Sequence, residues 1–266
     1  MSMSASGIDG SSASPSRYPE QGSRSAPAPI YVICSPNRQV GKTTLARLLI
    51  EHHAVDGRPF EAFDLSDESP SLTDYITGHV SLPNIREMRD QVKFFDSLIE
   101  PSNIPKIIDV SHREFTNFFS IVDKIGLFDE AERRAIAPVI LFMVDHTRVA
   151  ADAYGLLRRR FAGMSLLPVR NLAVAKGLPY GAFPHASRLL VSLEVAMLGA
   201  AARSFVERKG FSLAYIHTDL APYSEMSERT RAELDTWFRR ACFQFREMEQ
   251  SLSLIHREAM QSQRRY

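Results

Sequence analysis

The chain has 266 residues, enough for one or two domains, and 44% of them are hydrophobic and 24% charged. This ordinary globular composition excludes a chain that is disordered throughout. A total of 32 Lys and Arg against 31 Asp and Glu gives a net charge of +1, which argues against a strongly basic nucleic-acid-binding protein. The two cysteines, Cys34 and Cys242, are too few for a disulfide scaffold, so we expect a reducing, cytoplasmic location.

The first 29 residues differ in composition from the rest of the chain. They are rich in Ser, Ala, Pro and Gly and lack the apolar stretch of a secretory signal. Such a segment buries too little apolar surface to offset its ordering entropy. We therefore expect a disordered tail over 1–29 and a single domain over 30–266. No run of about 18 apolar residues occurs, so we expect no transmembrane segment.

Short apolar runs alternate along the chain with segments whose apolar residues recur every three or four positions. The runs predict strands and the periodic segments predict helices. In chain order the prediction is strand 30–34, helix 41–53, strand 60–65, helix 83–99, strand 107–110, helix 115–125, strand 138–144, helix 149–161, strand 167–175, helix 187–208, strand 211–216 and helix 227–259. This alternation predicts a three-layer αβα fold of the α/β class with a mostly parallel central sheet.

The segment between the first strand and the first helix has the ending of a P-loop. Residues 35–44 are Ser-Pro-Asn-Arg-Gln-Val-Gly-Lys-Thr-Thr. In a P-loop, the backbone N–H groups and the positive end of the helix bind phosphate oxygens. The predicted phosphate-binding residues are Gln39, Val40, Gly41, Lys42, Thr43 and Thr44. The full pattern has glycine six residues before the lysine, and Pro36 stands there instead.

Each residue type in this ending has a distinct role in nucleotide chemistry. Gly41 allows the backbone to approach the phosphates closely because it has no Cβ. Lys42 supplies a positive charge to the β- and γ-phosphates, and the Thr43 hydroxyl is a ligand for Mg²⁺. The sequence therefore predicts binding of a nucleotide and Mg²⁺.

Aspartates follow the second and third predicted strands, where parallel sheets bind their ligands. Asp109 ends the third strand and is predicted to contribute to the Mg²⁺ site. Asp64 and Asp67 follow the second strand and are candidates for orienting an attacking water. The alternative is that Asp64 and Asp67 only cap the following turn.

Three segments resemble the deviant P-loop ATPases of the ParA and MinD type. They are Val-Gly-Lys-Thr-Thr-Leu-Ala at 40–46, Phe-Asp-Leu-Ser-Asp-Glu-Ser-Pro-Ser-Leu at 63–72 and Lys-Ile-Ile-Asp at 106–109. The resemblance implies ATP and Mg²⁺ as ligands, a nucleotide-dependent homodimer and a protein partner. It also implies a role in plasmid or chromosome partition, in positioning, or in conjugative DNA transfer.

The chain departs from this family inside the loop. The family has a signature lysine followed by two glycines, and Asn37, Arg38 and Gln39 stand at those positions. In the family that lysine reaches the partner's nucleotide, and Arg38 is the nearest cation that could replace it. These departures imply a slow or an inactive ATPase, and the catalytic candidates are Lys42, Arg38, Asp64 and Asp67. The resemblance also implies a base-contacting residue near the fifth strand, where Asn171 and Lys176 are the candidates.

Other functions remain open on the sequence alone. A small-molecule kinase could use the same loop, with Asp64 or Asp67 as base and the arginines at 158–160 closing over the phosphates. A non-catalytic scaffold could keep the fold with a degenerate site. Nonspecific DNA binding through 158–160 is a further candidate, although those arginines would also compensate the dipole at the end of their predicted helix. No motif distinguishes ATP from GTP.

Overall fold

A parallel sheet of seven strands lies at the centre of the computed structural model, which describes residues 28–66, 71–76, 78–134, 136–185, 191–217 and 223–263. The strands are β1 Pro29–Cys34, β2 Glu61–Asp64, β3 Val80–Ser81, β4 Lys106–Asp109, β5 Ala137–Val144, β6 Ser165–Asn171 and β7 Leu193–Val195. Their spatial order is β3-β2-β4-β1-β5-β6-β7, and every neighbouring pair is parallel. β1 therefore lies between β4 and β5.

Helices cover both faces of this sheet. They are α1 Lys42–Val55, α2 Leu72–Tyr75, α3 Met88–Ile99, α4 Phe115–Lys124, α5 Leu127–Arg133, α6 Arg148–Arg160, α7 Ala200–Val206 and α8 Glu228–Gln263. Within the described ranges no helix has both the length and the apolar character needed to cross a membrane.

The two cores show why the fold has three layers. Successive side chains of a strand point to opposite faces of the sheet. Tyr31 and Ile33 of β1 belong to a core that includes residues of α1 and α8. Ile30, Val32 and Cys34 belong to a second core, with residues of α3, α4 and α6. The predicted three-layer αβα fold is confirmed.

The predicted helix 187–208 is wrong over 193–195, which form β7 at the edge of the sheet, and 187–190 lie outside the described residues. Among its described residues, Ala200–Val206 is the helical part. The Gln244 side chain of α8 accepts a hydrogen bond from Glu194 N at 2.7 Å and donates one to Glu194 O at 3.0 Å. These contacts with α8, which is distant in sequence, satisfy the backbone groups of an edge strand.

The predicted strand 211–216 is also wrong, because this segment joins no strand and contains a 3₁₀ turn at Leu213–Tyr215. Charged side chains of α1 bind its backbone instead. Arg47 donates to Phe211 O at 3.0 Å, and Glu51 accepts from Ala214 N at 3.1 Å. These side-chain partners replace the inter-strand backbone hydrogen bonds that a strand would need.

Smaller differences concern element bounds. β6 ends at Asn171 rather than at 175, and α3 begins at Met88 rather than at 83. The elements β3, α2 and α5 were not predicted. The predicted disordered tail lies largely outside the described residues, which begin at 28.

Candidate phosphate-binding site

The loop that joins β1 to α1 has a backbone shape that requires glycine at position 41. Gly41 is the N-cap of α1 and has φ +96°, in the left-handed region. A Cβ on Gly41 would lie 2.5 Å from Nδ2 of Asn171. Gln39 also has a positive φ of 55°. The loop follows the carboxyl end of β1, and parallel sheets bind their ligands at that end of the strands.

Side chains from two neighbouring strand ends hold this loop in place. Asn37 donates from Nδ2 to Asp145 Oδ2 at 2.6 Å and to Thr147 Oγ1 at 2.7 Å. Asp145 directly follows β5, and Thr147 is the N-cap of α6. From the next strand on the same side of β1, Asn171 at the end of β6 donates from Nδ2 to Val40 O at 3.1 Å. Asn171, which was predicted to contact the base, thus supports the loop.

The Lys42 ammonium crosses the loop and donates to Asn37 O at 2.6 Å. The residue is 8% exposed, and burial lowers the pKa of Lys42, while Asp109 and Asp145 act in the opposite direction. The charge is therefore held at the centre of a curved backbone. A bound phosphate oxygen would find a cation and N–H donors on the same side.

Asp109 and Thr43 form a pair suited to Mg²⁺. Thr43 donates from Oγ1 to Asp109 Oδ2 at 2.7 Å, while Asp109 Oδ1 is buried and has no hydrogen-bond partner in the described part of the chain. Burial, and next the Asp64 carboxylate on the adjacent strand, raise the pKa of Asp109 to about 7. A cation near this carboxylate would favour its ionised form.

The Thr43 hydroxyl and the Asp109 carboxylate are oxygen donors of the kind that Mg²⁺ takes. Within the residues described, no group of three or more His, Cys, Asp or Glu side chains could hold a metal ion. Mg²⁺ keeps several waters and takes only one or two protein oxygens together with substrate phosphates. Thr43 and Asp109 supply that number.

Asp64 caps the loop that follows β2. Its Oδ1 accepts from Ser66 N at 3.0 Å, and its Oδ2 accepts from Leu72 N at 2.8 Å, at the start of α2. The turn-capping alternative therefore describes what Asp64 does in this structure. Asp67 lies outside the described residues.

A cavity of about 590 Å³ opens above the loop. This volume falls in the range of small-molecule sites. Of the predicted site residues, those that line it are Arg38, Gln39, Gly41, Lys42, Thr43, Thr44, Asp109 and Asn171. The structure thus brings together most of the predicted set, while Val40 is buried beneath the loop.

Sequence reasoning missed the far wall of this cavity. Arg47 lies there, buried, and donates to Val206 O at 2.7 Å, with its guanidinium 4.1 Å from the centre of the Tyr75 ring. Its position four residues after Thr43, one helical turn on, is a signal that could have identified it. Arg203 and Trp237 also line the cavity, and no local pattern marks them.

The basic run at 158–160 ends α6, as the helix-dipole alternative requires. Arg160 of this run forms an ion pair with Asp123 of α4. One of the three arginines thus has a structural partner within the chain.

Comparisons with known proteins add no family to this geometry. No protein-family model matches the chain, and a search of curated proteins finds no match either.

Proposed function

We propose that the protein binds ATP with Mg²⁺ at the loop of residues 35–44 and hydrolyses it slowly. The observation that carries the proposal is the convergence of the Lys42 ammonium and the Thr43–Asp109 pair on one cavity, beside a backbone that accepts only glycine. In this proposal Lys42 and the backbone N–H groups of 39–44 hold the phosphates, and Thr43 and Asp109 hold the ion. The ion would neutralise charge on the β- and γ-phosphate oxygens.

The proposal extends to a nucleotide-dependent dimer of the ParA and MinD type. Asn37, which stands where the family has its signature lysine, is engaged with Asp145 and Thr147 and carries no charge. Arg38 is exposed and lines the cavity, which supports assigning it, within this proposal, as the loop cation that contacts a second copy's nucleotide. Within that proposal the protein acts with a protein partner in DNA partition, positioning or transfer.

Thermal unfolding with ATP and Mg²⁺ tests the binding step. A ligand that binds only the folded state at 100 times its Kd stabilises it by about 2.7 kcal/mol, which we expect to raise the Tm by roughly 5–10 °C. Lys42→Ala should abolish this rise, because it removes the cation at the centre of the loop. Lys93→Ala, on the exposed face of α3, is the matched control and should keep it.

Three results would separate this proposal from its alternatives. No Tm rise in the wild-type protein at millimolar ATP and Mg²⁺ would refute nucleotide binding and favour a scaffold. A Tm rise without phosphate release would leave a nucleotide-binding protein that does not hydrolyse ATP. ADP formation that depends on an added hydroxyl compound would favour a kinase. The same measurement with GTP in place of ATP shows which nucleotide base the protein prefers.

A further inference from the structure

The outward face of α8 is positively charged. Between positions 229 and 257, every exposed Asp, Glu, Lys or Arg position holds an arginine. These arginines are Arg229, Arg239, Arg240, Arg246 and Arg257. The whole chain has a net charge of only +1, so this face is a local excess of positive charge.

The acidic residues of the same stretch are turned towards the body of the protein. Three of the four have partners on other segments: Glu233 accepts from Gly199 N at 2.6 Å, Asp235 lies 2.9 Å from His217 Nε2, and Glu249 pairs with Arg58 at 3.0 Å. The fourth, Glu247, is half-buried and lies about 100° around the helix from Arg246. The half-buried basic residues also face inward: Arg231 donates to Ile216 O at 2.5 Å, and His256 lines a cavity beside β1.

Three of the exposed arginines lie along one line of the helix. Arg239 and Arg257 are separated by about five turns, or roughly 27 Å, so they leave the helix in the same direction. Arg246 lies between them, within about 20° of that line. Phe243 and Leu254 lie about 40–60° to one side of the line and are 59% and 52% exposed. We call these five residues the arginine stripe.

An ion pair within α8 shows that the stripe accepts carboxylates. Arg239 Nε lies 2.8 Å from Asp235 Oδ2, while the arginine side chain stays 75% exposed. Exposed ion pairs contribute little to stability, so a partner's carboxylate can replace this one at small cost. Arg240, beside the stripe, pairs with Glu194 of β7 at 3.3 Å.

The spacing of the stripe argues against a nucleic acid or a membrane as its partner. B-DNA carries one negative charge per about 1.7 Å, so 27 Å of duplex would bring roughly sixteen phosphates to three aligned arginines. Phosphates would also leave Phe243 and Leu254 without apolar contacts. A membrane-binding helix inserts a broad apolar face, and that face of α8, with Trp237 and Phe245, is part of the core.

A protein helix has the spacing that the stripe requires. Residues seven and eleven positions apart return to one side of a helix, and these are the separations from Arg239 to Arg246 and from Arg246 to Arg257. Carboxylates at those positions would each meet one guanidinium, and apolar residues between them would pack on Phe243 and Leu254. We propose that the arginine stripe is a docking surface for an acidic amphipathic helix of a partner protein. The proposal does not depend on nucleotide binding.

A designed peptide tests the chemistry of this partner. It is a dye-labelled, alanine-rich helix of 20 residues with glutamates at peptide positions 1, 8, 12 and 19, which match the arginine spacing in either direction, and leucines at 4, 5, 15 and 16. A control peptide has glutamine in place of each glutamate. We expect fluorescence anisotropy with the full chain, without nucleotide and at 50 mM NaCl, to give a Kd below about 100 μM for the glutamate peptide and at least tenfold higher for the control.

Three results with these probes would overturn the proposal. The first is no binding of the glutamate peptide at 100 μM, and the second is equal binding of the two peptides. The third is displacement of the glutamate peptide by a 20-base-pair DNA duplex or by phosphatidylglycerol vesicles at a lower concentration than by unlabelled peptide. That result would assign the stripe to a nucleic acid or to a lipid surface.

Variants at exposed positions locate the binding. Arg246→Glu should abolish binding of the glutamate peptide and create binding of a peptide with lysines at positions 8 and 12, a rescue that a folding defect would not give. Phe243→Ala should weaken binding about fivefold, because it removes an apolar contact and no charge. Arg148→Ala, on α6 at the opposite face of the sheet, is the control, since Arg148 is 92% exposed. An unchanged affinity in Arg246→Glu or Phe243→Ala, or an equal loss in Arg148→Ala, would refute the proposal.

Discussion

At position 41 two separate physical constraints act on one residue. Its φ of +96° penalises any side chain, and a Cβ would also meet the Asn171 amide at 2.5 Å. At position 57, glycine has φ +64°, but a Cβ there would meet no atom of a described residue within 4 Å beyond its chain neighbours. Substitutions at Gly41 and Gly57 therefore separate the cost of backbone strain from the cost of steric contact.

We expect Gly57→Ala to lower the free energy of unfolding by about 1–2 kcal/mol, the cost of a left-handed residue with a Cβ. Gly41→Ala should cost at least about 1 kcal/mol more, because Asn171 must also move and lose its bond to Val40. Urea unfolding of the two variants measures the difference. Equal losses of unfolding free energy in the two variants would show that the Asn171 side chain moves without a cost in stability.

Asn37 illustrates how a residue can fit a motif position and still serve another purpose. It stands where the resembled family has a lysine, yet its amide holds the loop to Asp145 and Thr147, and its carbonyl accepts from Lys42. The position is thus structural here. That is the reason to assign the cation of the proposed dimer to Arg38.

Among the elements, α1 lines both the cavity above the phosphate-binding loop and a second cavity, of about 370 Å³, at the other end of the helix. Its first turn carries Lys42 and Thr43, and its last turn carries His52 and His53, which face Glu249 of α8. Between them Arg47 and Glu51 bind the backbone of 206–214. This helix therefore fixes the C-terminal part of the chain relative to the phosphate-binding loop.

The buried His53 at the end of α1 predicts a pH dependence of stability. Its pKa is about 4 in the folded protein, below the ordinary value of 6.5. Between these values the unfolded chain binds the proton and the folded chain does not, so stability falls as the pH is lowered from about 6.5 towards 4. We expect this group alone to contribute a loss of about 2 kcal/mol over that window.

Urea unfolding at pH 7 and pH 4.5 checks whether the free energy of unfolding falls as the pH is lowered. His53→Gln should lose less stability between the two pH values than the wild-type protein. His146→Gln, at an exposed position after β5, is the control and should behave like the wild type. An identical pH dependence in His53→Gln would contradict a neutral buried imidazole.

At the scale of the whole molecule, the sheet order places β1 between β4 and β5. The loop after β1 is consequently flanked by Asp109 on one side and Asp145 on the other. Arg38 is exposed and lines the cavity above the loop, and the proposed dimer depends on that position.

The proposed dimer predicts a specific effect of Arg38. With a slowly hydrolysed ATP analogue and Mg²⁺, the wild-type protein should double its mass in light scattering. Arg38→Ala should weaken the dimer about tenfold, as expected for loss of a charge-assisted contact of about 1.4 kcal/mol, and leave the Tm rise with ATP intact. Arg133→Ala, at an exposed position at the end of α5, is the control. An unchanged dimer in Arg38→Ala would remove Arg38 from the mechanism.

The sequence by itself determined the strand-loop-helix unit, predicted over 30–53, the aspartate at the end of β4 and the three-layer fold. These features depend on local signals: apolar runs, helical periodicity and a motif whose residues are adjacent in the chain. Most of the candidate phosphate-binding site could be predicted for that reason.

Only the tertiary structure decided the identity of β7, the 3₁₀ turn at Leu213–Tyr215, the far wall of the first cavity and the existence of the second. Each depends on partners distant in sequence: Gln244 for β7, Arg47 and Glu51 for 211–214, and α8 against β1 for the second cavity. Local propensity is a weak preference that such contacts override, because an unpaired buried backbone group costs more than an unfavourable conformation.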